Sequence, residues 1–217
     1  ENVTTEGIDI IIALDISSSM LARDFSPDRL EAAKNVAMEF ISGRQYDRMG
    51  LVVFAGEAFT QCPLTTDRAV LLNLFKDIKS GLIEDGTAIG NGLATGVSRL
   101  KDSEAVSRVV ILLTDGENNR GEVAPMTAAE IAKTFGIRVY TVGVGSIGTA
   151  PYPVQTAFGI ELRDMEVKID EDLLMEMAQV TGGRYFRATS NKKLEEIYKE
   201  IDALEKSKID VQQYSRK

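Results

Sequence analysis

The sequence predicts an α/β fold with a doubly wound, mostly parallel central sheet, helices on both faces and one antiparallel edge strand. Runs of apolar and β-branched residues recur at 8–14, 107–113 and 137–144, as expected of parallel strands buried on both faces. Segments with helical periodicity separate these runs, so strand and helix alternate along the chain. The two-residue turn Gly56-Glu57 joins two further apolar segments, which predicts a hairpin and hence the antiparallel edge strand.

The helices are predicted from the spacing of apolar residues and from residues that favour helix ends. Ser26-Pro27 is interpreted as the N-cap and first residue of a helix that Gly43 ends. A second helix is expected after Thr66-Asp67. Further helices are expected at about 89–100, 125–135, 171–180 and 193–204.

Length and composition indicate one domain that spans residues 1–217, with flexible ends at 1–6 and 208–217. Residues 146–168 lack helical periodicity and contain two prolines, so we expect an irregular excursion with a short hairpin. The chain begins at Glu1 and contains no apolar run long enough to cross a bilayer. We therefore expect a soluble domain excised from a longer chain, with any membrane anchor outside these residues.

Charge and composition exclude several classes of function. The net charge of -8 opposes binding to nucleic acid and to anionic lipid. The absence of histidine removes Ser-His-Asp and Cys-His catalysis and the histidine-containing zinc sites. Residues 143–148 match G-x-G-x-x-G, but prolines follow directly and no helix can start there to bind a dinucleotide. The remaining candidate chemistry is that of oxygen ligands.

Five oxygen-bearing side chains are expected to meet at one edge of the sheet. Asp15, Ser17 and Ser19 follow the first buried strand, and Asp115 follows the strand at 107–113. Thr87 precedes the helix at 89–100, whose start is expected at the same edge. Ligands of open α/β sheets bind beyond the carboxyl ends of the strands. Two carboxylates and three hydroxyls are hard ligands, suited first to Mg²⁺ and also to Mn²⁺ or Ca²⁺.

This pattern, D-x-S-x-S followed by a threonine and then an aspartate, resembles the metal-ion-dependent adhesion site (MIDAS) of the von Willebrand factor type A (VWA) family. The resemblance covers nearly the whole chain and implies the Rossmann-like VWA fold. It implies that Ser17 and Ser19 bind one divalent cation through their hydroxyls, and that Asp15, Thr87 and Asp115 bind it directly or through water. In this family a Glu or Asp carboxylate of a partner protein commonly completes the coordination.

Three longer segments resemble bacterial aerotolerance proteins of the BatA kind. They are F-A-G-E-A-F-T-Q-C-P-L-T-T-D from Phe54, D-G-T-A-I-G-N-G-L-A-T from Asp85, and the strand I-R-V-Y-T-V-G-V-G. The resemblance implies a location at the bacterial inner membrane, with transmembrane helices outside this sequence and either periplasmic or cytoplasmic exposure of the domain. It also suggests other Bat proteins and a MoxR-type AAA+ ATPase as partners.

Two other functions are compatible with the residues alone. A metal-dependent phosphoryl hydrolase would use the same cation to polarise a phosphate, although no second aspartate at the first strand, histidine or phosphate loop is present to assist. A metal-free scaffold would use Thr87 as a helix cap and Asp115-Gly116 as a turn. We expect a non-enzymatic, metal-dependent protein interaction module.

Overall fold

The computed structural model describes residues 7–44 and 47–215, and it contains the predicted α/β sandwich. Within these residues the central sheet has six strands in the order β3-β2-β1-β4-β5-β8. Neighbouring strands are parallel except β2 and β3, which form the antiparallel edge. The strands are β1 (Ile8–Asp15), β2 (Arg48–Phe54), β3 (Ala58–Thr65), β4 (Ser107–Thr114), β5 (Arg138–Val144) and β8 (Tyr185–Ala188). The predicted fold class is confirmed.

In the described part of the chain, three helices cover each face of the sheet. Helices α1, α2 and α6 enclose one apolar cluster against the sheet, and α3, α4 and α5 enclose the other. The central strand β1 is buried along its whole length because both of its faces are covered. The helices are α1 (Arg29–Ser42), α2 (Arg68–Lys76), α3 (Ile89–Leu100), α4 (Pro125–Thr134), α5 (Glu171–Val180) and α6 (Asn191–Ser215).

Helix α3 lies close to the sheet because its inner face carries glycine. A Cβ atom added at Gly92 would lie 2.6 Å from the ring of Phe54. At Gly96 it would make an ordinary 3.4 Å contact with Ile11 and Val110. The close approach fixes the position of the start of α3, where Thr87 is found.

The structure differs from the sequence-based expectations at the first and the last helix. Helix α1 begins at Arg29 rather than at Pro27, because the Asp28 side chain accepts a hydrogen bond from the Glu31 backbone N–H and caps the helix. The Ser26-Pro27 peptide bond is cis and lies outside the helix. Helix α6 continues to Ser215 instead of ending near Leu204, so residues 208–215, expected to form a flexible end, are helical. The predicted flexible end at 1–6 lies outside the described residues.

Residues 146–168 are more regular than expected. They contain β6 (Thr149–Thr156) and β7 (Gly159–Glu166), which pair along eight residues each as an antiparallel hairpin separate from the main sheet. The prediction of a hairpin here is confirmed, but the prediction of an irregular excursion is wrong. Within the described residues, no helix is both long and apolar enough to cross a membrane.

Candidate metal centre

The carboxyl ends of β1 and β4 bring four of the five predicted residues together. Asp15 is the last residue of β1, and Ser17 and Ser19 lie in the loop that follows, which includes a 3-10 turn at Ser18–Leu21. Asp115 directly follows β4, the parallel neighbour of β1. Parallel strands end at the same edge of a sheet, so the two aspartates meet there. We call residues 16–24 the serine loop.

Hydrogen bonds link these side chains into one group. The hydroxyls of Ser17 and Ser19 lie 3.0 Å apart, and the Ser19 hydroxyl donates to Asp115 Oδ1 at 2.8 Å. Asp15 Oδ1 accepts from the Ser17 backbone N–H, and its Oδ2 accepts from the Thr114 hydroxyl, both at 2.8 Å. Both carboxylates are therefore held by short contacts at the end of the buried sheet.

Thr87 lies beside this group. Its backbone N–H donates to Asn119 Oδ1 at 2.9 Å, and its carbonyl accepts from the Asn119 N–H at 3.0 Å. Its hydroxyl would lie 3.8 Å from a Cβ atom added at Gly116, the residue after Asp115. Among the described residues this hydroxyl has no hydrogen-bond partner. Thr87 is thus placed next to the second aspartate with a free oxygen.

A cavity of about 260 Å³ opens at the group. Ser19, Thr87 and Asp115 line it, together with Arg29, residues 116–119 and residues 165–168 at and after the end of β7. Asp15 and Ser17 are buried and do not line the cavity. The arrangement has the concave shape, with a few convergent polar groups, that is typical of a binding site.

Asp85 has a structural role that the sequence alone did not reveal. Its carboxylate accepts from the Ser18 backbone N–H at 3.0 Å and from the Ser18 hydroxyl at 2.6 Å. These hydrogen bonds hold the pKa of Asp85 below its usual range. Asp85 therefore connects the loop before Thr87 to the serine loop, and Ser18 itself points away from the predicted ligands.

Arg29 and Asp24 are a second pair that sequence reasoning missed. The buried Arg29 guanidinium donates to both carboxylate oxygens of Asp24, at 2.7 and 2.8 Å, and to Asp115 Oδ2 at 2.9 Å. Although burial opposes ionisation, the hydrogen bonds from Arg29 and from the Ser146 N–H keep the pKa of Asp24 low. Asp115 lies 86 residues from Arg29, so no local spacing or periodicity in the sequence could have shown that this pair contacts a proposed ligand.

The two central carboxylates carry more negative charge than their surroundings compensate. Burial, together with the nearby charge of Asp115, raises the pKa of Asp15 to about 7. Burial also raises the pKa of Asp115, in spite of its contact with Arg29. When Asp15, Asp24 and Asp115 are ionised, their three negative charges are offset by one guanidinium, which contacts Asp24 and Asp115. A divalent cation would cancel the remaining two negative charges.

The donor set therefore fits a hard divalent cation. Asp15, Ser17, Ser19, Thr87 and Asp115 offer only oxygen atoms, and sulfur and imidazole are absent from the group. Within the described residues, no cluster of three or more His, Cys, Asp or Glu side chains could hold a metal ion. A site of two carboxylates and three hydroxyls is of a different kind, because most of its oxygen ligands are neutral.

The family follows from the fold, the site and the sequence together. The model of the von Willebrand factor type A domain matches residues 9–200, and the chain belongs to that family. It is 36% identical to the solved structure of BatB from Bacteroides thetaiotaomicron, with a TM-score of 0.80 and coverage of 92% of this chain and 100% of that one. The resemblance to the family and to bacterial aerotolerance proteins is confirmed.

Two further relatives extend the comparison. An aerotolerance-related membrane protein from Bacteroides fragilis is 33% identical, with a TM-score of 0.79 and coverage of 91% of this chain and 98% of that structure. A Borreliella burgdorferi protein is 35% identical over 190 residues, which are 83% of this chain and 53% of the relative. The chain thus spans about half the length of that curated relative.

A more distant relative bears on the site itself. Proximal thread matrix protein 1 from the mussel byssus, solved with zinc in its MIDAS motif, is 25% identical to this chain. Its TM-score is 0.68, and the match covers 90% of this chain and 44% of that one. A domain with this fold therefore holds a divalent cation at a MIDAS motif.

Proposed function

We propose that this domain binds one divalent cation through Asp15, Ser17, Ser19, Thr87 and Asp115 and uses it to bind a carboxylate of a partner protein. The observation that supports the proposal is a cavity lined by Ser19, Thr87 and Asp115 next to the buried Asp15 and Ser17, with more carboxylate charge than Arg29 can compensate. Mg²⁺ is the proposed ion, with Mn²⁺ and Ca²⁺ as alternatives that share the same preference for oxygen.

The cation would act as a bridge between two proteins. Three of the five proposed ligands are neutral hydroxyls, and the five side chains need not fill the coordination sphere, so a bound divalent ion attracts an anion to an open coordination position. The burial of Asp15 and Asp115 strengthens the attraction between their carboxylates and the cation, because water screens the charges less in the protein interior. A Glu or Asp side chain of the partner is the anion that fits, as the resemblance to the MIDAS implies.

The biological setting we propose is an aerotolerance-related complex at the bacterial inner membrane. The support is the similarity to BatB and to the aerotolerance-related membrane protein of Bacteroides fragilis. In this proposal the membrane anchor lies outside the 217 residues, and the candidate partners are other Bat-type proteins and a MoxR-type ATPase. The function is non-enzymatic, so turnover of a phosphate ester with Mg²⁺, abolished by Asp115→Ala, would contradict it.

Calorimetric titration with Mg²⁺, Mn²⁺ and Ca²⁺ tests the metal site directly. We expect one bound ion per chain for the wild type and no binding for Asp15→Ala. Asp102→Ala is the matched control, because Asp102 is exposed just beyond the end of α3, whereas Thr87 precedes the beginning of that helix. Metal binding by Asp15→Ala with wild-type affinity would show that these residues do not form the site.

Partner capture from extracts of the source cells then tests the bridge. We expect a partner that is retained by the wild type with Mg²⁺, released by a chelator and absent with Asp15→Ala. Substitution of each acidic residue on the partner's binding surface should identify one carboxylate whose loss abolishes binding. Retention that is indifferent to both the chelator and Asp15→Ala would contradict a metal bridge.

A further inference from the structure

Three hydrogen bonds connect the β6–β7 hairpin to the serine loop. The Tyr152 hydroxyl donates to the carbonyl of Ser18 at 2.9 Å. The Arg23 N–H donates to the carbonyl of Pro151 at 2.7 Å, and the Ser146 N–H donates to Asp24 Oδ2 at 2.8 Å. We call these three hydrogen bonds the hairpin strap.

The hairpin contributes little to the core of the domain. Its two strands pair only with each other, and most of their side chains are half-buried or exposed, with Ala150 as the buried exception among the strand residues. Phe158 at its tip is 96% exposed. The hairpin therefore adds no strand to the main sheet and few buried side chains to the core.

The strap reaches three of the five proposed ligands. Ser18, whose carbonyl Tyr152 holds, lies between Ser17 and Ser19 in the chain. Ser146 at the base of the hairpin holds Asp24, Asp24 holds Arg29, and Arg29 donates to Asp115. One route from the hairpin thus ends at the backbone between Ser17 and Ser19, and the other ends at the second carboxylate.

We infer that the β6–β7 hairpin is a positioning element for the metal site and that Tyr152 is its principal positioning residue. The inference rests on the proposed function, since the hairpin would position side chains that bind the divalent cation. A cation binds tightly only where its ligands are already held in place, and the groups that hold them strongly affect the affinity. Without the Tyr152 hydroxyl, ordering the serine loop costs free energy when the cation binds, and this cost lowers the affinity for the metal.

A merely structural strap would hold the hairpin to the domain without affecting the ion. Tyr152→Phe separates the two cases because it removes one oxygen and leaves the ring in place. We expect Mg²⁺ affinity, measured by calorimetry, to fall by about three- to tenfold, the effect of losing roughly one net hydrogen bond. The melting temperature in EDTA should stay at the wild-type value, while the rise produced by Mg²⁺ becomes smaller.

Tyr214→Phe is the matched control, because Tyr214 lies on α6 with its side chain 82% exposed. It should bind Mg²⁺ as the wild type does. Wild-type affinity in Tyr152→Phe would overturn the inference and leave the proposed function intact. Failure of the wild type to bind Mg²⁺, Mn²⁺ or Ca²⁺ would instead overturn the proposed function and the inference together.

Amide hydrogen exchange gives an independent test, because coupling between two sites is reciprocal. If the strap orders the site for the cation, saturating Mg²⁺ should slow exchange at the Arg23 and Ser146 amides, which donate two of the strap's hydrogen bonds. Tyr152→Phe should reduce this slowing. Equal exchange at both amides with and without bound Mg²⁺ would contradict the coupling.

Discussion

At the scale of single residues, a buried carboxylate proposed to bind the cation lowers the stability of the metal-free protein. Asp15 is fully buried beside another buried carboxylate, and its pKa is raised to about 7 by burial and by the charge of Asp115. A raised pKa in a carboxyl group means that its ionised form is less stable in the folded protein than in the unfolded chain. Without a cation, Asp15 therefore weakens the fold that holds it.

Asp15→Asn should stabilise the metal-free protein. The amide removes the buried charge and can still accept from the Ser17 N–H and bond to the Thr114 hydroxyl, which are the present partners of Asp15. We expect the free energy of unfolding in EDTA at pH 8 to rise by on the order of 1 to 3 kcal/mol, as urea denaturation would measure. Mg²⁺ binding should be lost. A less stable variant would mean that the Asp15 charge is compensated without a cation.

Not every functional residue could be predicted at this scale. Asp15, Ser17 and Ser19 stand in a short pattern directly after a buried strand, so the sequence indicates both their chemistry and their position. Arg29 and Tyr152 act through contacts with residues 86 and 134 positions away, and an arginine in a first helical turn or a tyrosine between prolines has no distinctive local pattern. Only the folded chain reveals them.

At the scale of elements, helix α6 is attached to the sheet by one buried carboxylate. Glu205 accepts hydrogen bonds from the Arg138 guanidinium, the Ser107 hydroxyl and the Tyr140 hydroxyl at the beginnings of β4 and β5. Burial opposes the ionisation of Glu205, but these donors outweigh it and lower its pKa. The contact lies at the edge of the sheet opposite the proposed metal site.

Glu205→Gln should destabilise the protein by about 2 to 4 kcal/mol at pH 7, because it leaves the half-buried Arg138 without its ionic partner. The folded pKa of Glu205 lies below its unfolded value of 4.5, so its contribution to stability is complete only above that value and is lost as the pH falls through the folded pKa. The difference in the free energy of unfolding between variant and wild type, measured by urea denaturation, should therefore narrow as the pH falls below 4.5.

Glu200→Gln provides the control for this prediction. Glu200 lies on the same helix, is 44% exposed and pairs with Arg184 at the surface. Its substitution should cost no more than about 1 kcal/mol at pH 7. An equal loss from both substitutions would mean that the buried network around Glu205 has no special role.

The strands could be predicted from the sequence where burial on both faces requires a continuous run of apolar residues. Strands β1, β4 and β5 are mostly apolar because they are covered on both faces, and their positions were expected to within one residue. Strand β8 was missed, because four residues at the sheet's edge with two polar or half-buried positions give too short a pattern. The β6–β7 hairpin was expected to be irregular because of Pro151 and Pro153, which are tolerated in a strand that lies outside the main sheet.

At the scale of the whole molecule, folding and metal binding are expected to be separable. The two apolar clusters on either side of the sheet form the core, and none of the five proposed ligands belongs to either cluster. The ion is then a ligand of the folded domain and not part of its core. The free energy of unfolding should rise with the concentration of the ion, as for any ligand that binds only the native state.

We therefore expect the domain to remain folded in EDTA and to unfold cooperatively, as circular dichroism would show. Mg²⁺ at a hundred times its dissociation constant should add about 2.7 kcal/mol to the free energy of unfolding and raise the melting temperature by about 5 to 10 °C.

NaCl at matched ionic strength is the necessary control, because the net charge of -8 attracts cations in general. NaCl should give a much smaller rise in melting temperature. Asp15→Asn should respond to Mg²⁺ only as it responds to NaCl. Loss of the folded spectrum in EDTA would instead make the cation a structural component, and the separation of core and site would be wrong.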